Sequence, residues 1–158
     1  MIIEYDKKYD QEIKNLLVEL QEYIQSIDIE GYNRVTKEYR EKNFEMVLDN
    51  VSKNKGKILL YEHKGKIVGL IIGIINNEEE NTFDFEAPKR GKITDLVVSK
   101  NTRNNGIGSI LLKTMENYLK SVGCKDILLD VFGYNEKAFS FYEKNGYHTR
   151  LIEMTKKL

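Results

Sequence analysis

Residues 93–109, ITDLVVSKNTRNNGIGS, contain the change of pattern that decides the fold. Ile93, Leu96, Val97 and Val98 form a short, partly β-branched apolar run of strand length. Ser99 to Asn105 is polar throughout and holds Asn101, Asn104 and Asn105, a residue type that tolerates turns. Beyond it Ile107, Ile110, Leu111, Met115, Tyr118, Leu119 and Val122 lie at helical spacing on one face, and Gly123 stands where a helix usually stops. The pattern predicts a strand, a sharp loop and a helix.

A loop that turns into a helix leaves backbone N–H groups unpaired at the helix start, and the helix dipole adds positive potential there. Such a terminus accepts phosphate. Gly106 and Gly108 carry no Cβ, so a ligand can approach the backbone closely, and Arg103 adds a cation able to grip a phosphate at two points. Two phosphate loops are excluded. The P-loop needs a lysine after its last glycine, and Ser109 follows Gly108. The dinucleotide fingerprint needs a third glycine where Leu111 stands.

What remains is R-x-x-G-x-G between a strand and a helix. This resembles the acyl-CoA loop, [QR]-x-x-G-x-[GA], of the GNAT (Gcn5-related N-acetyltransferase) superfamily. A second stretch, NEKAFSFYEKNGY at 135–147, resembles the family's N-x-x-A-x-x-[FL]-Y-x-x-x-G-[FY], through Asn135, Ala138, Phe141, Tyr142, Gly146 and Tyr147. The two motifs stand in the family's order and at a family-like separation. The likeness is detailed over about 91–147 and holds only in outline before that.

Composition bounds the rest. A chain of 158 residues suits one domain with one sizeable core, expected to span 1–158. Its 25 basic and 25 acidic residues give zero formal charge, which argues against a broad nucleic-acid or membrane-surface role. The single cysteine, Cys124, precludes an internal disulfide and fits a reducing, cytoplasmic setting. MIIEYDKKYD lacks a basic segment leading into an apolar core, so no secretory signal is expected. The longest apolar run, Ile67 to Ile75, is too short to span a bilayer.

In order, Ile2, Ile3 and Tyr5 predict a first strand. Asp10 is a candidate cap for a helix striped by Ile13, Leu16, Leu17, Leu20 and Ile24. After a break at Ser26 to Asn33, a second helix is expected from about Arg34, with Phe44, Val47, Leu48 and Val51 on its apolar face. Lys57–Glu62 and Lys66–Ile75 read as strands joined by the hairpin His63-Lys64-Gly65, the second apolar on both faces and so central in a sheet. The acidic stretch 76–90 reads as a hairpin extension or a mobile loop. Strand Lys92–Val98, the glycine loop and its helix follow, then strand Asp126–Phe132, helix Asn135–Asn145 and a last strand Tyr147–Lys156. The order is β-α-α-β-β-β-α-β-α-β, an α/β (α+β) chain with a mixed, mostly antiparallel sheet and helices on both faces, in which the crossover from 93 to 132 makes a parallel pair. This matches the GNAT fold. Many members have two terminal strands and this chain has room for one, so its partner is open, a strand of a second subunit in a homodimer included.

The resemblance implies acetyl-CoA as cosubstrate and an amine as acceptor, with no metal. Backbone groups of Asn104, Asn105, Gly106, Ile107, Gly108 and Ser109, with Arg103, would hold the pyrophosphate. Family members expose a strand edge to the pantetheine arm through a bulge and splay, here at Leu96, Val97 and Val98, and the Val98 N–H would polarise the thioester carbonyl. Read alone, Tyr142 is a tyrosine on an apolar helix face beside Phe139 and Phe141; the resemblance makes it the general acid for the leaving thiolate, and sets Ala138 and Phe141 beside the arm. Asn135 has two compatible roles, helix N-cap and contact to the arm. The base that deprotonates the amine is Asp95, Glu86 or a water. Tyr23, Tyr32 and Tyr39 near the 26–33 break, with the acidic 78–86 stretch, suit a cationic acceptor. The competing functions are a CoA-binding sensor that keeps the fold without turnover and a structural protein with no ligand.

Overall fold

A computed structural model describes residues 1–76 and 82–158. The elements are β1 (Ile2–Glu4), α1 (Asp10–Ile27), α2 (Tyr39–Lys53), β2 (Lys57–His63), β3 (Lys66–Asn76), β4 (Arg90–Val98), α3 (Ile107–Ser121), β5 (Asp126–Leu129) and α4 (Glu136–Lys144), with 3-10 turns at Lys7–Tyr9 and Lys100–Thr102. The strands form one sheet in the order β1-β2-β3-β4-β5, antiparallel except for the β4–β5 pair. β3 is central, as its two-sided apolar pattern requires, and the β2–β3 turn uses positive φ at Lys64 (51°) and Gly65 (75°).

Each face of the sheet has its own core. Ile58, Leu60, Leu70, Ile72 and Val97 pack against Ile13, Leu16 and Leu17 of α1 and Phe44 of α2. Leu59, Ile71, Ile75 and Ile93 pack against Ile107, Leu111, Leu112, Met115 and Leu119 of α3. Burying each such side chain contributes on the order of 1.5–3 kcal/mol. The α3 ridge Leu111–Met115–Leu119 lies directly on three strand glycines. A Cβ on Gly69 would come within 2.9 Å of Leu111, on Gly73 within 2.5 Å of Met115 and on Gly91 within 2.6 Å of Leu119. These glycines let α3 lie close on the sheet, which fixes its N-terminus beside the end of β4.

Several boundaries differ from expectation. Asp10 is not a cap: α1 has no side-chain cap, and the Asp10 carboxylate accepts from the Tyr5 hydroxyl at 2.9 Å. α2 begins at Tyr39 rather than near Arg34: Asp28 holds the chain up to Asn33 in a turn by accepting from the N–H groups of Glu30, Tyr32 and Asn33, and a second turn, Tyr39 N–H to the Thr36 carbonyl at 3.2 Å, leads into the helix. β5 ends at Leu129. The expected last strand is absent: among the described residues, none from Tyr147 to Leu158 is in a strand, and Leu151, Ile152 and Met154 are 80%, 75% and 89% exposed. A strand needs a hydrogen-bonding neighbour, and none of the described strands pairs with the tail. The acidic stretch falls partly at 77–81, outside the described residues; Phe83 beyond it is fully exposed.

Candidate active site

Ile93, Leu96 and Val98 all belong to the α3-side cluster. A regular strand cannot put residues 93 and 96 on one face, because its period is two. The register resolves this with a bulge: Ile72 pairs with Asp95 and Gly73 with Ile93, leaving Thr94 as the extra residue. The bulge was expected at Leu96 to Val98 and lies at Thr94 instead. Asp95 and Val97 are thereby turned to the other face, and Val97 is buried there.

Beyond the bulge β4 loses its parallel neighbour. β5 pairs only with Arg90 to Ile93. Ser99 N–H donates to the Val68 carbonyl at 2.9 Å, so the backbone of Ser99 faces β3 and that of Val98 faces away. The Val98 N–H and, by alternation, that of Leu96 therefore open onto the gap between β4 and β5.

The glycine loop closes the end of this gap. Asn104 and Gly106 take positive φ, 65° and 73°, and Gly106 is the α3 N-cap with no side-chain bond. Ile110 N–H returns to the Gly106 carbonyl at 3.1 Å, which leaves Ile107, Gly108 and Ser109 as the helix-start donors without a cap. No acidic residue lies in that turn. Ile107 is buried, so only its backbone is available to a ligand. The two glycines differ. Open space surrounds Gly106, whereas a Cβ on Gly108 would meet the Phe141 ring at 3.3 Å. Asn105 braces the loop, its Nδ2 donating to the carbonyls of Thr102 and Arg103. Arg103 turns back on the strand: Nε donates to the Val98 carbonyl at 2.8 Å and Nη2 pairs with Glu19 at 3.3 Å.

α4 supplies the other wall. Asn135 caps it, Oδ1 accepting from Ala138 N–H at 3.3 Å, and the Tyr23 hydroxyl donates to the same oxygen at 3.1 Å. Phe141 and Tyr142 meet edge to face at 5.1 Å, as do Tyr142 and Tyr147 at 5.6 Å. Burial, and then the charge of Asp95, pushes the Tyr142 phenol up to about 12. The Tyr39 phenol rises to about 12 for the same two reasons. Burial raises the Asp95 carboxyl, with a hydrogen bond from Thr94 opposing. Asp95 thus lies within electrostatic reach of two tyrosines on two helices. Glu86 is exposed ahead of β4, at the end of the strand remote from Val98.

Sequence reading missed Glu19 altogether, because its partners Lys100 and Arg103 are more than eighty residues away. A pocket of about 350 Å³ lined by Asn50, Asn54, Ile74, Ile75, Asn76, Lys92 and Thr94 opens toward the far end of α2, away from the glycine loop. Among the described residues no cluster of metal-binding side chains occurs, and no helix is long and apolar enough to cross a membrane.

Residues 17–147 match the sequence profile of the acetyltransferase (GNAT) family. The chain belongs to that family. An uncharacterized N-acetyltransferase of Methanocaldococcus jannaschii is 38% identical over 92 residues, 58% of this chain and 52% of that protein. The chain spans about half the length of the curated relatives it matches. Among solved structures, an acetyl transferase from Pyrococcus furiosus described as putative is 28% identical, with a TM-score of 0.73 over 100% of this chain and 99% of that one. A mutant of the BH1408 protein from Bacillus halodurans, 21% identical, shares the GNAT fold with a TM-score of 0.88 over 100% and 99% of the two chains.

Proposed function

We propose that this GNAT chain is an acetyl-CoA-dependent N-acetyltransferase that moves an acetyl group to a primary amine by direct attack in a ternary complex. The observation that carries the reading is the junction of two sets of open backbone N–H groups: those of Leu96 and Val98 on the edge of β4, and those of Ile107 to Ser109 at the uncapped start of α3. The first suits an extended, amide-rich arm and the second a pyrophosphate. Acetyl-CoA would supply the activated acetyl thioester. Arg103 adds charge at the phosphate end. Ala138 and Phe141 line the arm, and Asn135 meets its amides.

Within this reading the Val98 N–H polarises the thioester carbonyl where charge develops. Asp95 accepts the proton that a cationic acceptor must lose, and its raised pKa makes it a stronger base than an ordinary carboxylate. Tyr142 then donates to the departing sulfur. The two steps support one another: protonating Asp95 removes the charge that helps hold the proton on Tyr142. Tyr39 feels the charge of the same carboxylate and suits contact with the ammonium group. Asp28 is committed to its own turn and does not serve the acceptor.

We also infer a cytoplasmic homodimer in which the exposed tail after Tyr147 pairs with the outer edge of β5 in a second copy. Leu151, Ile152 and Met154, exposed on a segment outside any helix or strand, support this reading. The catalytic proposal is tested by thiol release from acetyl-CoA with a panel of polyamine, aminoglycoside, amino acid and peptide amines. Release with at least one acceptor is expected. Tight CoA binding with no release across the panel would favour the sensor.

A further inference from the structure

α1 crosses the gap between β4 and α4, and two of its residues hold both sides. Glu19 and Tyr23 are four apart and so share one helix face. The Glu19 Oε1 atom accepts from the Lys100 N–H at 2.7 Å and from Arg103 Nη2 at 3.3 Å, pinning both ends of the short turn that leads into the glycine loop. The Arg103 guanidinium is held from two further sides, by the Val98 carbonyl at 2.8 Å and by the Tyr23 ring at 5.8 Å. A planar guanidinium fixed in this way has one orientation. The loop it belongs to is therefore tied to α1 as well as to its own strand.

Tyr23 acts on the opposite wall. Its hydroxyl and the Ala138 N–H both donate to Asn135 Oδ1. The backbone donor demands an oxygen, so the amide is set one way round and Nδ2 remains as its donor. Without the phenol, the cap alone would hold the amide.

We propose that Glu19 and Tyr23 are positioning residues of the cosubstrate cleft, Glu19 for the phosphate end and Tyr23 for the arm. This rests on the cosubstrate reading above. The Glu19–Arg103 pair is half exposed, with side chains 25% and 39% accessible, so its effect on stability is small and its effect on loop geometry is what an experiment should read.

Calorimetric titration of Glu19→Ala, Glu19→Gln and Tyr23→Phe with coenzyme A and with pantetheine, which lacks the pyrophosphate, tests this. Glu19→Ala should weaken coenzyme A about 10-fold, the scale of one charge-assisted hydrogen bond, and leave pantetheine unchanged. Glu19→Gln, which can still accept from Lys100, should lose less and again only for coenzyme A. Tyr23→Phe should weaken both ligands by about the same factor. Equal losses of the two ligands in the Glu19 variants, or no loss in Tyr23→Phe, would overturn the positioning roles. A wild-type chain that does not bind coenzyme A would overturn the cosubstrate reading instead.

Discussion

A Cβ built on Gly108 would lie 3.3 Å from Cζ of Phe141, so the glycine loop and α4 meet at these two residues. The glycine was expected to leave room for a ligand, and the room is taken by a ring of the second motif. The motifs are separate in sequence and form one wall in the fold. Gly108→Ala should destabilise the protein by about 1 kcal/mol through overpacking, and Phe141→Leu should recover most of that loss. Urea unfolding of the double-mutant cycle checks it; additive effects would mean that the two residues do not meet.

Tyr142→Phe removes one hydroxyl and keeps the ring contacts with Phe141 and Tyr147. Unfolding midpoints should barely move. If the hydroxyl protonates the leaving thiolate, kcat should fall by about 10²-fold, with acetyl-CoA affinity nearly unchanged. The deficit should grow at high pH, where water supplies protons less readily. Wild-type kcat across the pH range would make Tyr142 a packing residue only.

Asp95→Asn separates activity from stability. Burial raises the Asp95 carboxyl above its unfolded value, so the folded state binds the proton more tightly. Stability then declines as pH rises from the ordinary carboxylate range, about 3.9, to the folded pKa, and the penalty is complete above that. The variant should therefore be more stable than wild type at neutral pH, and the difference should vanish below the unfolded pKa. As the proposed base, its loss should lower kcat/KM by about 10²-fold and abolish the acid limb of the pH profile. Thermal unfolding at acidic and neutral pH, beside pH–rate profiles, reads both effects.

Much of this was legible in the chain. The apolar pattern of Lys66 to Ile75 placed β3 at the centre, and the switch of period across Asn105 placed the loop and α3. The bulge at Thr94 was encoded in the odd spacing of Ile93 and Leu96, though only their common burial in one cluster makes that spacing informative. The start of α2 was obscured because the chain enters it through a turn at Thr36 to Tyr39, which helical periodicity does not register. Glu19 carried no signal and Tyr23 was read as an aromatic for the acceptor, since their partners come from the loop after β4 and from the α4 cap. The tail shows the reverse error. Its β-branched and apolar residues have strand character, but a strand forms only beside a neighbour.

That neighbour is the subject of a fourth prediction. Light scattering should give twice the chain mass at micromolar concentration, and Ile152→Asp should give a monomer that still binds coenzyme A. A monomeric wild-type chain would contradict the proposed pairing and leave the site untouched.

The central claim, that the α3 start and the open edge of β4 together hold the cosubstrate, is tested most directly by amide chemical shifts. Titration of coenzyme A into the ¹⁵N-labelled chain should shift the Ile107, Gly108 and Ser109 amides most strongly, with Val98 and Leu96 following along the strand edge. Saturable binding that leaves these amides unmoved, with the largest shifts elsewhere on the sheet, would contradict the account.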